Sequence, residues 1–299
     1  MIDEKSLKSF IRKPSTEYLK RYRRDANKFI RSGEVDFHKS IENGFNRIND
    51  YIDVLKWHLY EEVEKRSIGH FEPPLPDSLD GRQLASLKFT PMVTALFSKK
   101  EQPVVLKAMK DSVIFLTGSN VRRLIWGLSF QSTARTLANI YLISIGAKPI
   151  CNETTGCLGL NEETSCYVSL SYFALSPEDR RFEDYVLHEG AHIFHNTKRA
   201  TIGLPSTRTH KWLLPIKFEK RELFAYSCEI YGTISARAKI TRPNKGLRKA
   251  VQDDVEKYIL NGFVPGDPRV DPDELHIVLR NAAAARTSEA GWKRILKHC

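Results

Sequence analysis

Apolar positions recur every three or four residues along much of the chain, which is the spacing of one helical face. A first stripe from Phe37 to Leu59 predicts a long helix that ends near Arg66. The run Thr117-Gly118-Ser119-Asn120 is typical of a helix start, and the apolar residues behind it predict a second long helix that ends before Gly146. These patterns indicate a mostly helical protein.

The pattern changes between Lys148 and Leu175, where short segments with glycines precede a run of β-branched and aromatic residues. This composition predicts a small sheet. Ser176-Pro177-Glu178-Asp179 then predicts the start of a helix that runs to about Asn196. A further helix is expected from about Lys217 to Ile240, and two or three basic helices complete the chain.

The predicted fold class is therefore α+β, mostly helical. Three consecutive regions are expected: a helical N-terminal region over 1–117, a core over 118–245, and a basic helical C-terminal region over 246–299. The proline-rich run His70 to Gly81 is the best linker candidate.

The chain carries 47 Lys and Arg against 36 Asp and Glu, a formal net charge of +11. A cationic surplus favours polyanionic partners, because bound cations release condensed counterions. The surplus is dispersed, and no recognisable reading helix or aromatic RNA-binding motif accompanies it. Two interpretations stay open: a solvated cationic surface, and weak nucleic-acid binding.

The first residues alternate charged and apolar side chains, so no secretory signal is expected. The most apolar internal stretch, Ala138 to Ala147, is too short to span a bilayer. Five cysteines without a CxxC pair indicate reduced thiols. We therefore expect a cytoplasmic protein with no membrane partner.

The most specific motif is His188-Glu189-Gly190-Ala191-His192. Side chains four residues apart on a helix lie about 40° apart around the axis, so both imidazoles can reach one metal ion. Glu189 points about 100° away from His188, which places its carboxylate beside the ion as a candidate general base. The alternative is an ordinary helix with buried, hydrogen-bonded histidines.

This HExxH motif resembles that of the zincin metallopeptidases, and more narrowly of the gluzincins, over about residues 120–240. The resemblance implies zinc bound by His188, His192 and a downstream glutamate, and an extended substrate along an edge strand. By that analogy the edge strand is Cys166 to Tyr172. The metzincin pattern fails because Lys198 stands where that family has its third histidine.

The third ligand has three candidates, Glu219, Glu222 and Glu229. The resemblance favours a glutamate with a small residue three positions later, and Ala225 gives Glu222 that neighbour. Glu229 stays a rival, and His210 is a weaker candidate. Tyr226, one turn after Glu222, is a candidate oxyanion donor, with burial in a helix core as the alternative.

Two further residues lie on the face of the histidine pair. His195 is too far along the axis to share their ion easily, so an outer-shell or packing role is expected. Asp184, one turn before His188, is a candidate to orient that imidazole, or a solvated charge.

The sequence thus predicts zinc-dependent hydrolysis of a peptide or protein substrate, with His188, His192 and Glu222 on the metal and Glu189 and Tyr226 as catalytic residues. Three alternatives remain. One is a basic nucleic-acid-binding protein with a structural metal, the second is a regulatory protease acting on a DNA-associated protein, and the third is a metal hydrolase for a non-peptide bond. Substrate identity and oligomeric state stay open.

Overall fold

The computed structural model describes residues 13–36, 48–74, 80–128, 131–151, 159–162, 164–173, 182–242 and 246–299. These residues are mostly helical with one small sheet, so the α+β, mostly helical class is confirmed at that level. The helices of the described ranges are α1 Thr16–Arg21, α2 Arg23–Ser32, α3 Ile48–Ser67, α4 Gly81–Leu96, α5 Gln102–Lys110, α6 Gly118–Gly127, α7 Gln131–Ser144, α8 Tyr185–Asn196, α9 Arg221–Thr241, α10 Leu247–Leu260, α11 Pro272–Ala283 and α12 Ser288–His298. The strands are β1 Val113–Phe115, β2 Gly159–Glu162 and β3 Ser165–Val168.

The chain forms two compact units that alternate along the sequence. One comprises Met1–Leu75, Phe115–Leu160 and Ser169–Ala174, and the other comprises Pro76–Ile114, Asn161–Val168 and Leu175–Cys299. The division into three consecutive regions stays a prediction.

In the first unit, α3 confirms the helix predicted to end near Arg66. Leu55 and Leu59 of the predicted stripe are fully buried, as one apolar helical face requires. The earlier stripe positions Phe37, Ile41 and Phe45 lie outside the described residues.

The helix start at Thr117 is confirmed, because Asn120 Oδ1 accepts a hydrogen bond from the Thr117 amide at 3.0 Å. The single long helix behind it is wrong. Leu128 is extended, with φ −68° and ψ 138°, so α6 ends at Gly127 and α7 starts at Gln131. The Lys56 ammonium stabilises this end: it donates hydrogen bonds to the carbonyls of Trp126 at 2.8 Å and Leu128 at 2.7 Å.

In the second unit, α8 carries the HExxH motif and packs against α9, α4 and β3. It begins at Tyr185, so the predicted start at Ser176 is wrong. Asp184 has φ −149° and ψ 94°, which no helix accommodates, and its Oδ1 caps the Leu187 amide at 3.2 Å. Residues 174–181 lie outside the described part of the chain.

The sheet has the order β1-β3-β2, so β3 is its central strand. The assignment of Cys166 to Tyr172 as an edge strand is therefore wrong. The strand also ends at Val168, because the Tyr172 amide bonds the Ser169 carbonyl at 3.0 Å and the Ser171 amide bonds Ser169 Oγ at 3.1 Å. These two hydrogen bonds turn the backbone into the short 3₁₀ helix Leu170–Phe173.

The predicted helix from about Lys217 is confirmed as a 3₁₀ turn followed by α9, and the C-terminal prediction is confirmed as α10, α11 and α12. Within the described ranges, no helix is long and apolar enough to cross a membrane. The four described cysteines, Cys151, Cys166, Cys228 and Cys299, are free thiols. The cytoplasmic location stays a prediction.

Gly190, inside the HExxH motif, lies against the ring of Phe89 of α4. A Cβ at this position would overlap the ring of Phe89, a residue of α4 with no exposed surface. Only glycine leaves room for that ring at the present separation of the two helices.

We expect Gly190→Ala to lower the free energy of unfolding by about 1–3 kcal/mol, because a packed ring must move to admit the methyl group. Gly127→Ala is the matched control: Gly127 is also helical, and nothing lies within 4 Å of its added Cβ. The control should leave stability unchanged or raise it by up to about 1 kcal/mol. Urea unfolding followed by circular dichroism gives both values. Equal stability of Gly190→Ala and wild type would contradict the packing argument.

Candidate metal centre

Three side chains of α8 and α9 converge on one point. His188 Nε2 and His192 Nε2 lie 3.2 Å apart, and Glu222 Oε2 is 3.7 Å and 3.6 Å from them. Among the described residues, these three form the group of His, Cys, Asp or Glu side chains that lie close enough together to hold a metal ion. The group is partly exposed, with 13% of each imidazole and 21% of the Glu222 side chain accessible to solvent.

The three separations fit a tetrahedral ion. Ligands at about 2.0–2.1 Å from a tetrahedral centre lie about 3.3–3.5 Å from one another, close to the distances in this group. Two imidazole nitrogens and one carboxylate oxygen are a donor set that suits zinc, and three protein ligands leave a fourth position for water. The residues present therefore fit the zinc ion that the motif implies.

The packing of α8 on α9 brings the ligands together. Glu222 lies in the first turn of α9, directly after the 3₁₀ turn Phe218–Lys220. Further along α9, a Cβ at Gly232 would come within 2.8 Å of Leu187 of α8, so the two helices approach closely there. Ala225, the small residue three positions after Glu222, is fully buried.

Glu229 does not join the three donors but lies on the far side of His188. Its Oε2 is 3.0 Å from His188 Nδ1, and its Oε1 accepts from the Asp184 amide at 2.7 Å. With only 4% of its surface exposed, Glu229 holds both the imidazole and the start of α8. Glu222 and Glu229 thus occupy different places: Glu222 faces the Nε2 atoms of His188 and His192, and Glu229 faces His188 Nδ1.

His195 contacts the second histidine in a corresponding way. Its Nε2 is 2.9 Å from His192 Nδ1, and its Nδ1 is 3.1 Å from Asn196 Oδ1. It is 3% exposed. Each histidine of the motif therefore has its Nδ1 engaged by a buried side chain, His188 by a carboxylate and His192 by an imidazole.

Hydrogen-bond chemistry assigns the protons of this chain of side chains. Burial, followed by the charges of His192 and Arg221, lowers the pKa of His195 to about 3, so this imidazole is neutral. Asn196 Oδ1 accepts from its Nδ1, which makes its Nε2 an acceptor for the Nδ1 proton of His192. In the neutral form of His192 this arrangement leaves Nε2 without a proton, on the side where His188 Nε2 and Glu222 Oε2 lie.

The pKa of His188 reflects two opposed effects. Burial disfavours the charged imidazole, but the hydrogen bond and charge of Glu229, with the charges of Glu189 and Glu222, raise the pKa to about 9. Burial also disfavours the charged form of Glu222, yet His192, His188 and Arg269 lower its pKa. Without a metal, the centre is therefore held by a cationic His188 between two carboxylates.

Glu189 interacts electrostatically with His188, His192, Glu222 and Glu229, and its role as general base stays a prediction. Burial raises the pKa of its carboxyl, and the charges of His188 and His192 act in the opposite direction.

The Tyr226 ring stands edge-on to His188, with 4.6 Å between ring centroids. Burial and the charge of Glu229 raise the pKa of its hydroxyl to about 12, so the group is a proton donor at neutral pH.

Three other candidates lie elsewhere. Asp184 caps α8 and pairs with Lys88, so the orienting partner of His188 is Glu229 and not Asp184. Glu219 is exposed, and His210 lies 3.4 Å from the Arg199 guanidinium. Neither belongs to the metal-binding group.

Sequence reasoning missed Arg269 and Asp267. Arg269 Nη2 donates to Glu222 Oε1 at 3.0 Å, and Asp267 bonds the same guanidinium. Both lie in the connection between α10 and α11, far from the motif in sequence. No local pattern marks them.

We expect Glu222→Gln to lose zinc sharply, because two protein ligands remain where a catalytic site uses three. Glu229→Gln should retain the metal with about 10–100-fold weaker affinity, as its amide still accepts from Asp184 but no longer supplies charge to His188. Glu219→Gln, the same change at an exposed position, should bind zinc as wild type does. Zinc content after dialysis and competition with a chromogenic chelator measure these affinities. Full zinc in Glu222→Gln together with an empty site in Glu229→Gln would reverse the two assignments.

Comparison with protein families, curated proteins and solved structures gives no match for this chain. The case for its function therefore rests on the geometry and chemistry of this group.

Proposed function

We propose that this chain is a zinc-dependent peptidase that hydrolyses a peptide or protein substrate. The observation that carries the proposal is the convergence of His188 Nε2, His192 Nε2 and Glu222 Oε2 next to the Glu189 carboxylate. His188, His192 and Glu222 would hold the ion. When bound, zinc lowers the pKa of a coordinated water and polarises a carbonyl group.

Glu189 is the proposed general base. Burial raises the pKa of its carboxyl, which makes the carboxylate a stronger proton acceptor than an ordinary glutamate, and the charges of the two imidazoles act in favour of its ionised form. It would take the proton of the attacking water at a carboxylate oxygen and return it to the nitrogen of the departing amine. This is the proton transfer that peptide hydrolysis requires.

Tyr226 is the proposed donor to the substrate carbonyl oxygen. A hydroxyl with a pKa of about 12 keeps its proton at neutral pH, so it can donate a hydrogen bond to the oxygen as negative charge develops there. The contact between its ring and His188 keeps it beside the metal-binding group.

We expect Glu189→Gln to keep the fold and zinc but to lose hydrolysis by about 10²-fold or more, because the amide cannot accept the water proton. Glu219→Gln is the matched control and should keep wild-type activity. The measurements are zinc content and a proteome-wide search for new peptide termini made by wild type and missing in Glu189→Gln. New termini that persist in Glu189→Gln, or a wild type that binds no zinc, would contradict the proposal. Hydrolysis of ester or other non-peptide substrates alone would favour the non-peptide alternative.

A second candidate function, weak nucleic-acid binding, is favoured by α1 and α2. Exposed basic side chains line an open concavity of about 1310 Å³ on these helices. Phe29 and Ala26 bury the opposite face of α2, so its cations are turned outward. Acidic residues lie in the same region, and Lys28 pairs with Glu34 at 2.5 Å, which limits the net charge. The basic residues of the concavity are Lys20, Arg21, Arg23, Arg24, Lys28 and Arg31.

We expect measurable, sequence-independent binding to duplex DNA that falls steeply as salt rises. The double variant Arg24→Gln with Arg31→Gln should flatten the plot of log affinity against log salt by about 0.9 for each lost phosphate contact. Lys99→Gln with Lys100→Gln removes the same charge from another exposed segment and is the control. Fluorescence anisotropy with labelled DNA measures both slopes. Absence of binding at low salt, or equal weakening in both double variants, would show that α1 and α2 are only a solvated cationic surface.

A further inference from the structure

The two carboxylate oxygens of Glu222 have different neighbours. Oε2 faces the Nε2 atoms of His188 and His192 at 3.7 Å and 3.6 Å. Oε1 accepts a hydrogen bond from Arg269 Nη2 at 3.0 Å. The guanidinium is therefore hydrogen-bonded to one carboxylate oxygen of Glu222, and the other oxygen faces the two histidines.

Asp267 holds Arg269 in this position. Its Oδ1 accepts from the Arg269 amide at 2.8 Å and from Nε at 2.9 Å. Its Oδ2 accepts from Nε at 3.1 Å and from Nη2 at 2.5 Å. A planar guanidinium bonded on two nitrogens cannot rotate freely, so the connection between α10 and α11 fixes the direction of the bond to Glu222.

We propose that Arg269, held by Asp267, is a positioning residue that makes Glu222 a one-oxygen metal ligand. The inference rests on the proposed function, since it takes His188, His192 and Glu222 as the zinc site. Because Arg269 is hydrogen-bonded to Oε1, Glu222 has only Oε2 free to bind the metal. The same hydrogen bond restricts the Glu222 side chain before the metal binds, so less conformational entropy is lost on binding. The fourth position then stays available for water.

A simple charge argument predicts the opposite effect. The Arg269 guanidinium is positive and lies next to a site for a divalent cation, so charge alone would weaken zinc binding. Removing it would then tighten the site. The positioning role predicts that loss of the Arg269 and Asp267 pair weakens zinc binding, because Glu222 is released.

The pair is also separable from folding. The Arg269 side chain is 65% exposed, and the pair contributes little to stability if it is only a surface ion pair. A comparable pair joins the two helices that flank this connection: Arg280 of α11 donates from Nε and Nη2 to the carboxylate of Glu256 of α10 at 2.8 Å and 2.9 Å. The Arg280 and Glu256 side chains are 51% and 45% exposed, against 65% for Arg269 and 20% for Asp267, and neither belongs to the metal-binding group.

The test compares two double variants that each remove one ion pair without changing the net charge. Asp267→Asn with Arg269→Gln removes the pair at Glu222, and Glu256→Gln with Arg280→Gln removes the matched pair. Zinc affinity is measured by competition with a chromogenic chelator, and thermal unfolding without metal checks that both variants fold. The visible spectrum of the cobalt-loaded proteins reports coordination number, since four-coordinate cobalt absorbs more strongly than five- or six-coordinate cobalt.

We expect the first variant to bind zinc about 10–100-fold more weakly than wild type and to show a weaker cobalt spectrum, with the control within twofold of wild type in both. Zinc affinity of the first variant within twofold of wild type, or tighter, would overturn the positioning role while leaving the metal site in place. A wild type that binds no zinc would instead remove the proposed function and this inference together. The two failures are thus distinguishable.

Discussion

Three atoms with lone pairs are held within 3.7 Å of one another, and every other feature of the centre serves that arrangement. Such convergence is unfavourable unless a cation or a proton lies between the atoms. Without a metal, His188 carries the proton, because the hydrogen bond and negative charge of Glu229 raise the pKa of its imidazole. The helices must therefore be packed firmly enough to keep the donors together in both conditions.

That packing depends on residues that are not among the candidate metal ligands or catalytic residues. Gly232 lets α9 approach Leu187, and Gly190 lets α8 approach Phe89 of α4. Lys88, the neighbour of Phe89, pairs with the Asp184 carboxylate that caps α8. Two adjacent residues of α4 thus contact the beginning and the middle of α8, the helix of the HExxH motif.

Local signals in the sequence predicted local structure well. The Thr117 and Asn120 cap depends on residues three apart, and the HExxH spacing depends on one helical turn, so both could be inferred without the fold. The start of α8 could not, because Asp184 is fixed by Lys88 and Glu229 from other elements. The predictions of the edge strand and of one continuous helix after Thr117 were wrong for the same reason, because each feature depends on partners distant in sequence.

The two glutamates of α9 show which part of the site could be inferred from the sequence and which part depends on the fold. Residues seven apart lie on one face of a helix, so spacing alone does not separate Glu222 from Glu229; the packing of α9 against α8 directs one to the Nε2 atoms and the other to His188 Nδ1. Arg269 was beyond reach altogether, since a residue in the connection of two later helices carries no mark of its contact with Glu222. Charge balance around a ligand is a tertiary property.

The chain of side chains from Glu229 through His188, His192 and His195 to Asn196 has a consequence for recognising related proteins. The histidines and Asn196 are spaced by fixed steps along α8, and the two glutamates by a fixed step along α9, so the centre can be written as a spaced signature: H-E-G-x-H-x-x-H-N, followed on a later helix by two glutamates seven residues apart. A distant homologue could differ in almost every other position and still preserve it. Short motifs lose diagnostic power when only the metal ligands are counted, and the buried partners restore it.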